Sequence, residues 1–120
     1  MKKIIDINGR ELEFEATATT DHMIETVFNI RFLQALNKSP EEEQPELIKK
    51  LAFIMNKRAE LGSWRKVEDL TQEDFWDWLD TIDSFALEEE KTAKEILNLY
   101  INNKGTKVFP KNQASPQAGS

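Results

Sequence analysis

The sequence predicts an α+β fold, mainly α: an N-terminal β-hairpin followed by about four helices and a disordered C-terminal tail. Three observations carry that expectation. Asn8-Gly9, the pair best able to hold positive φ at both centres of a type I′ turn, separates two short strand-like runs. Apolar residues then recur at helical spacing between recognisable start and stop signals. Beyond Asn103 the composition turns to Lys, Pro, Gln, Ala, Gly and Ser, with almost no large apolar side chain. At 120 residues the chain accommodates one domain, placed at 1–103, with 104–120 as a linker-like tail.

In the second strand Leu12 and Phe14 alternate with Glu11, Glu13 and Glu15, giving one apolar and one wet face. A lone hairpin is marginal in water, so that face must lie on something else. Thr17 to Thr20 is the exit. Thr20 or Asp21 is expected to cap a helix running to about Asn37, with Ile24, Val27, Phe28, Leu33 and Leu36 as its apolar face. Ser39-Pro40-Glu41-Glu42-Glu43 starts the next helix, with proline in the first turn and acids where the helix dipole favours them. Leu47, Ile48, Leu51, Ile54 and Met55 carry it to a stop at Gly62.

Residues 62–66 read as a connector. Thr71 is expected to cap a short helix in a box with Asp74, and Phe75, Trp76, Leu79 and Ile82 to fill its inner face. Trp78 falls off that stripe. A last helix is expected from about Leu87 to Asn103, with the stripe Ala93, Ile96, Leu97 and Tyr100 and a stop at Gly105.

Charge narrows the function. Between Val67 and Glu90 the chain holds ten acidic residues and no basic one. The net charge is −6, and residues 1–103 carry −9 once the three lysines of the tail are set aside. Phosphate binding needs Lys and Arg, so a nucleic-acid partner is disfavoured. No apolar run reaches the length of a signal-peptide core or a bilayer span, so a soluble protein of the cytoplasm is expected. Without cysteine there is no disulfide, thiolate metal site or thiol nucleophile. His22, the single histidine, reads as a first-turn surface residue rather than a base or ligand. Glu73, Asp77 and Asp80 share a helical face, but no calcium-type loop surrounds them, so a solvated acidic face is the expected reading. The four glycines are isolated and form no phosphate loop. No catalytic role and no cofactor are expected; a protein-binding role is. Acids steer a basic partner, and aromatic side chains off the core stripe, Trp78 and Trp64, supply contact area.

The order of parts resembles a known family. The opening "IDINGRELEFEATATT", the helix "LIKKLAFIMNKRAE", the acidic "FWDWLDTIDSF" and the helix "EILNLYINN" before a Lys/Pro/Gln tail look like the tail assembly chaperones of long-tailed (siphovirus-type) phages and prophages of Gram-positive bacteria. The resemblance covers most of residues 3–103. It implies a non-enzymatic protein that binds the long, hydrophobic tape measure protein and keeps it soluble while tail tube subunits polymerise. It further implies action in the host cell cytoplasm, absence from the mature virion, and possible homo-oligomers. A frameshifted long form, joined near the tail, would recruit the tail tube protein. No membrane or nucleic-acid partner is implied. The partner-binding candidates are Leu51, Phe53, Ile54, Met55, Trp64, Phe75, Trp78 and Leu79. An alternative from another class is an acidic DNA mimic that inhibits a host nuclease or repressor, motivated by the spacing of Asp74, Asp77, Asp80 and Asp83.

Overall fold

Asn8 and Gly9 take φ of 54° and 88°, the two left-handed conformations a type I′ turn requires. In the computed structural model of the chain they close an antiparallel hairpin of β1 (Lys2–Ile7) and β2 (Arg10–Glu15). The structure describes residues 1–82 and 85–108. Asp6 steadies the turn by accepting a hydrogen bond from the Gly9 N–H at 2.5 Å. Register pairs Ile5 with Leu12 and Lys3 with Phe14. Ile5, Ile7, Leu12 and Phe14 are all buried, so the hairpin has the single apolar face its alternation requires.

The expected helix over 20–37 is two helices. α1 (Thr20–Phe28) ends where Asn29 enters the left-handed region at φ 58° and its N–H bonds to the Glu25 carbonyl; asparagine tolerates that conformation better than most residues. α2 (Phe32–Lys38) then sets off in a new direction. The break sends Phe28 towards Phe53 and Phe75 and lets Phe32 pack edge-on against Tyr100, with ring centroids 5.1 Å apart. Leu33, expected inside, is exposed as a result. The Thr20 hydroxyl does not cap α1; it accepts from the Thr17 N–H at 2.8 Å and braces the preceding turn.

A 3-10 turn at Glu41–Glu43 leads into α3 (Gln44–Leu61), which Gly62 ends in the left-handed conformation, φ 75°. Leu51, Ala52, Phe53, Ile54 and Met55 are each wholly buried. Five consecutive buried positions cover more than one turn, so α3 is apolar all round at mid-length and must be enclosed on every side. Strand β2, helices α1 and α2 and the three helices that follow all pack against it.

The expected connector is a short helix, α4 (Trp64–Glu68), capped by Ser63, whose hydroxyl accepts from the Arg65 N–H. Its start was concealed because a serine cap followed by a tryptophan lacks an obvious apolar period. α5 (Gln72–Thr81) opens on the expected capping box: the Thr71 hydroxyl accepts from the Asp74 N–H and the Asp74 carboxylate accepts from the Thr71 N–H. A 3-10 turn at Ala86–Glu88 precedes α6 (Glu90–Val108). Gly105 therefore does not stop this helix, since one glycine costs a helix only about 1 kcal/mol. Residues 109–120, the rest of the expected tail, lie outside the described residues, as does Asp83.

Polar groups fasten the layers around α3. Lys49 is buried with its Nζ 2.7 Å from Glu88 Oε2, and Arg58 reaches Glu15 of β2 at 3.3 Å. Arg10 Nη1 donates to the Thr81 carbonyl at 2.6 Å, joining the hairpin to the end of α5. Among the described residues, no helix is long and apolar enough to cross a membrane.

Candidate functional site

The inner and outer faces of α5 differ from the expected assignment by one tryptophan. Trp78 is buried at 5 % exposure and Trp76 stands 54 % exposed. The inner stripe is Phe75, Trp78, Leu79 and Ile82, spaced i, i+3, i+4, i+7, which keeps one side of a 3.6-residue helix against the core. Trp76 interrupts that spacing. A buried indole also needs an acceptor for its N–H. Asn56 of α3 supplies it: Trp78 Nε1 donates to Asn56 Oδ1 at 2.9 Å, while Asn56 Nδ2 donates to the Glu13 carbonyl of β2 at 2.9 Å. One buried amide thus joins three elements.

Around it, Phe53 meets Phe75 and Trp78 edge-to-face with centroids 5.4 Å from both, Phe75 and Trp78 stack at 6.5 Å, and Phe28 meets Phe75 edge-on at 5.2 Å. Such pairs contribute about 0.5–1.5 kcal/mol each beyond burial. Of the eight residues implied for partner binding, Leu51, Phe53, Ile54, Met55, Phe75 and Trp78 are core, and Leu79 is half-buried against it. They are brought together, but as the interior of the fold. Only Trp64 is exposed.

The outer surface holds what the sequence reading missed. Trp76 and Phe85 are exposed aromatics, and they join Trp64, which the sequence had already marked as a candidate. Trp76 leans on Phe75 with centroids 5.3 Å apart and planes tilted by 43°, which fixes one side of the indole and leaves the other open. Glu73, Asp77 and Asp80 surround it on the same exposed face of α5. Among the described residues, none of these three carboxylates makes a side-chain hydrogen bond or ion pair. Trp64 is already occupied: the Arg65 guanidinium lies 5.2 Å over its ring and His22 meets it edge-on at 6.2 Å. The signal that could have found Trp76 was the stripe itself, once Trp78 replaced it at i+3.

His22 is an exposed first-turn residue, as expected, and its Nε2 lies 3.0 Å from Glu68 Oε2, linking α1 to α4. Between α3, α5 and the link that precedes α5 lies an open recess of about 220 Å³, lined by Lys57, Leu70, Asp74, Asp77, Trp78 and Thr81. Its charged groups are largely committed: Asp74 to the capping box and Lys57 to Glu60 at 3.2 Å. The capping role also removes Asp74 from the regular acidic row that motivated the DNA-mimic reading. Among the described residues, no group of three or more His, Asp or Glu side chains could hold a metal ion.

Among the described residues, one titrating group is strongly perturbed, and its role is structural. Tyr100 of α6 donates to Asp21 Oδ1 at 2.5 Å. Burial first, then the hydrogen bond and charge of Asp21, push its phenol far above the ordinary tyrosine value. The hydroxyl stays protonated and clamps α6 to α1.

No protein-family model, no curated protein and no solved structure matches the chain.

Proposed function

We propose that this protein is a non-catalytic tail assembly chaperone of a long-tailed phage or prophage. It binds the tape measure protein in the host cytoplasm, keeps it soluble and leaves before the virion matures. The observation that supports this reading is the placement of two exposed aromatics, Trp76 and Phe85, within the acidic segment 67–90, with a third, Trp64, exposed just before it. A chaperone of an insoluble helical client needs apolar contact area outside its own core, and charge that keeps the complex in solution. The −9 charge of residues 1–103 supplies the second. The order of sequence motifs supplies the identity of the client. In this reading a frameshifted long form extends the chain beyond its tail and recruits tail tube subunits.

A pull-down of tape measure protein encoded with this chain, washed at high salt, tests the proposal. Retention of the tape measure protein supports it, because apolar contact survives salt that screens surface charge. Its loss to the wash, together with competition by duplex DNA for another bound host protein, would move the acidic mimic ahead.

A further inference from the structure

Glu73, Trp76, Asp77 and Asp80 stand at i, i+3, i+4 and i+7, so they share one face of α5, and all four are exposed. The chain shows twice what it does with a ring that has a free face: Arg65 covers Trp64 at 5.2 Å and Lys50 covers Phe28 at 5.4 Å. Trp76 has the most exposed indole of those described, and no cation covers it among the described residues. Instead it is ringed by carboxylates without partners. An indole face attracts a guanidinium or ammonium, and adjacent carboxylates strengthen the attraction. Two turns of helix set the outer acids, Glu73 and Asp80, about 10 Å apart along the axis.

We propose that this outer face of α5 docks a basic helical segment of a protein partner. One Arg or Lys lies over Trp76, and others one turn away on either side pair with Glu73, Asp77 and Asp80. The spacing of the acids, one and two turns apart, matches basic residues at i, i+4 and i+7 on a helix laid alongside. A second copy of this chain is a poor occupant, because the surface it would bring is itself strongly acidic. Nucleic acid is excluded by the same charge. This inference rests on reading the protein as a binder of other proteins, and it specifies the partner's chemistry.

The test titrates the full chain with an alanine-based helical peptide bearing arginines at i, i+4 and i+7, by calorimetry at low and moderate salt. The control peptide has glutamine at those positions. Binding of the arginine peptide is expected to weaken about tenfold in Trp76→Ala and again in Glu73→Gln/Asp77→Asn/Asp80→Asn, a loss of about 1.4 kcal/mol each. Trp64→Ala should bind as wild type, and all variants should keep the wild-type melting curve. Equal binding of both peptides, or no effect of Trp76→Ala, would overturn the proposal. So would Trp76-dependent dimerisation of the free chain in sedimentation, which would give the face to a second copy. Peptide binding without retention of tape measure protein keeps this face and rejects that client; retention unchanged by Trp76→Ala keeps the client and rejects this face.

Discussion

Trp78 Nε1 and Asn56 Oδ1 are 2.9 Å apart and both side chains are buried, and this bond favours Trp78 over Trp76 as the tryptophan of α5 that faces inward. The Asn56 amide also holds the Glu13 carbonyl, so α3, α5 and β2 depend on one side chain. Replacing Asn56 with alanine leaves the Trp78 N–H without an acceptor and opens a cavity. The expected loss is about 2–4 kcal/mol, combining an orphaned buried donor with lost packing. Urea unfolding of Asn56→Ala measures it, and Trp78→Phe in the same background should recover part of the loss because the orphaned donor is gone.

The two tryptophans give opposite outcomes. Trp78→Ala removes a buried ring from the Phe53–Phe75 cluster and should cost roughly 3–5 kcal/mol. Trp76→Ala, on the outer face, should change stability by less than about 0.5 kcal/mol in denaturant titrations. Equal losses at the two positions would contradict the orientation of α5.

How far the sequence revealed this architecture follows from which signals are local. The hairpin turn, the Thr71–Asp74 box and the Gly62 stop are each written in two to four adjacent residues, and each occurs as expected. The break at Asn29 is not local, because its reward is the delivery of Phe28 and Phe32 to different neighbours. The buried state of residues 51–55 was legible in principle: five consecutive apolar residues leave no polar side for solvent. Taking these residues for a binding face overlooked that a helix apolar all round belongs at the centre. Trp76 and Trp78 differ by 200° of helical rotation, and the Asn56 acceptor that selects Trp78 lies 22 residues away.

Tyr100 makes stability depend on alkaline pH. Its folded-state value is raised above the unfolded value of about 10, so its contribution is complete below pH 10. It is lost progressively as pH rises above that point, where the unfolded chain releases the phenolic proton and the folded one retains it. As the chain has a single tyrosine, the absorbance gained by phenolate formation comes from this group, once the change of the three tryptophans on unfolding is subtracted using Tyr100→Phe. The expected titration in the native protein is displaced upward and coincides with unfolding. Tyr100→Phe should show a flatter decline of stability above pH 10.

Gly62 ends α3 at φ 75°, and a Cβ added there would meet nothing within 4 Å. Gly62→Ala therefore costs only the left-handed backbone penalty, about 1–2 kcal/mol. The melting temperature should fall by several degrees without change in the circular dichroism of the native state.

The proposed chaperone role requires an acidic surface with exposed aromatics to serve an insoluble helical client. Its most direct measurement is the soluble fraction of tape measure protein when co-expressed with this chain, with Trp76→Ala, or alone. The expected outcome is a soluble complex with the wild type, a several-fold smaller soluble fraction with Trp76→Ala, and insoluble client alone. A client equally insoluble in all three cases would contradict it.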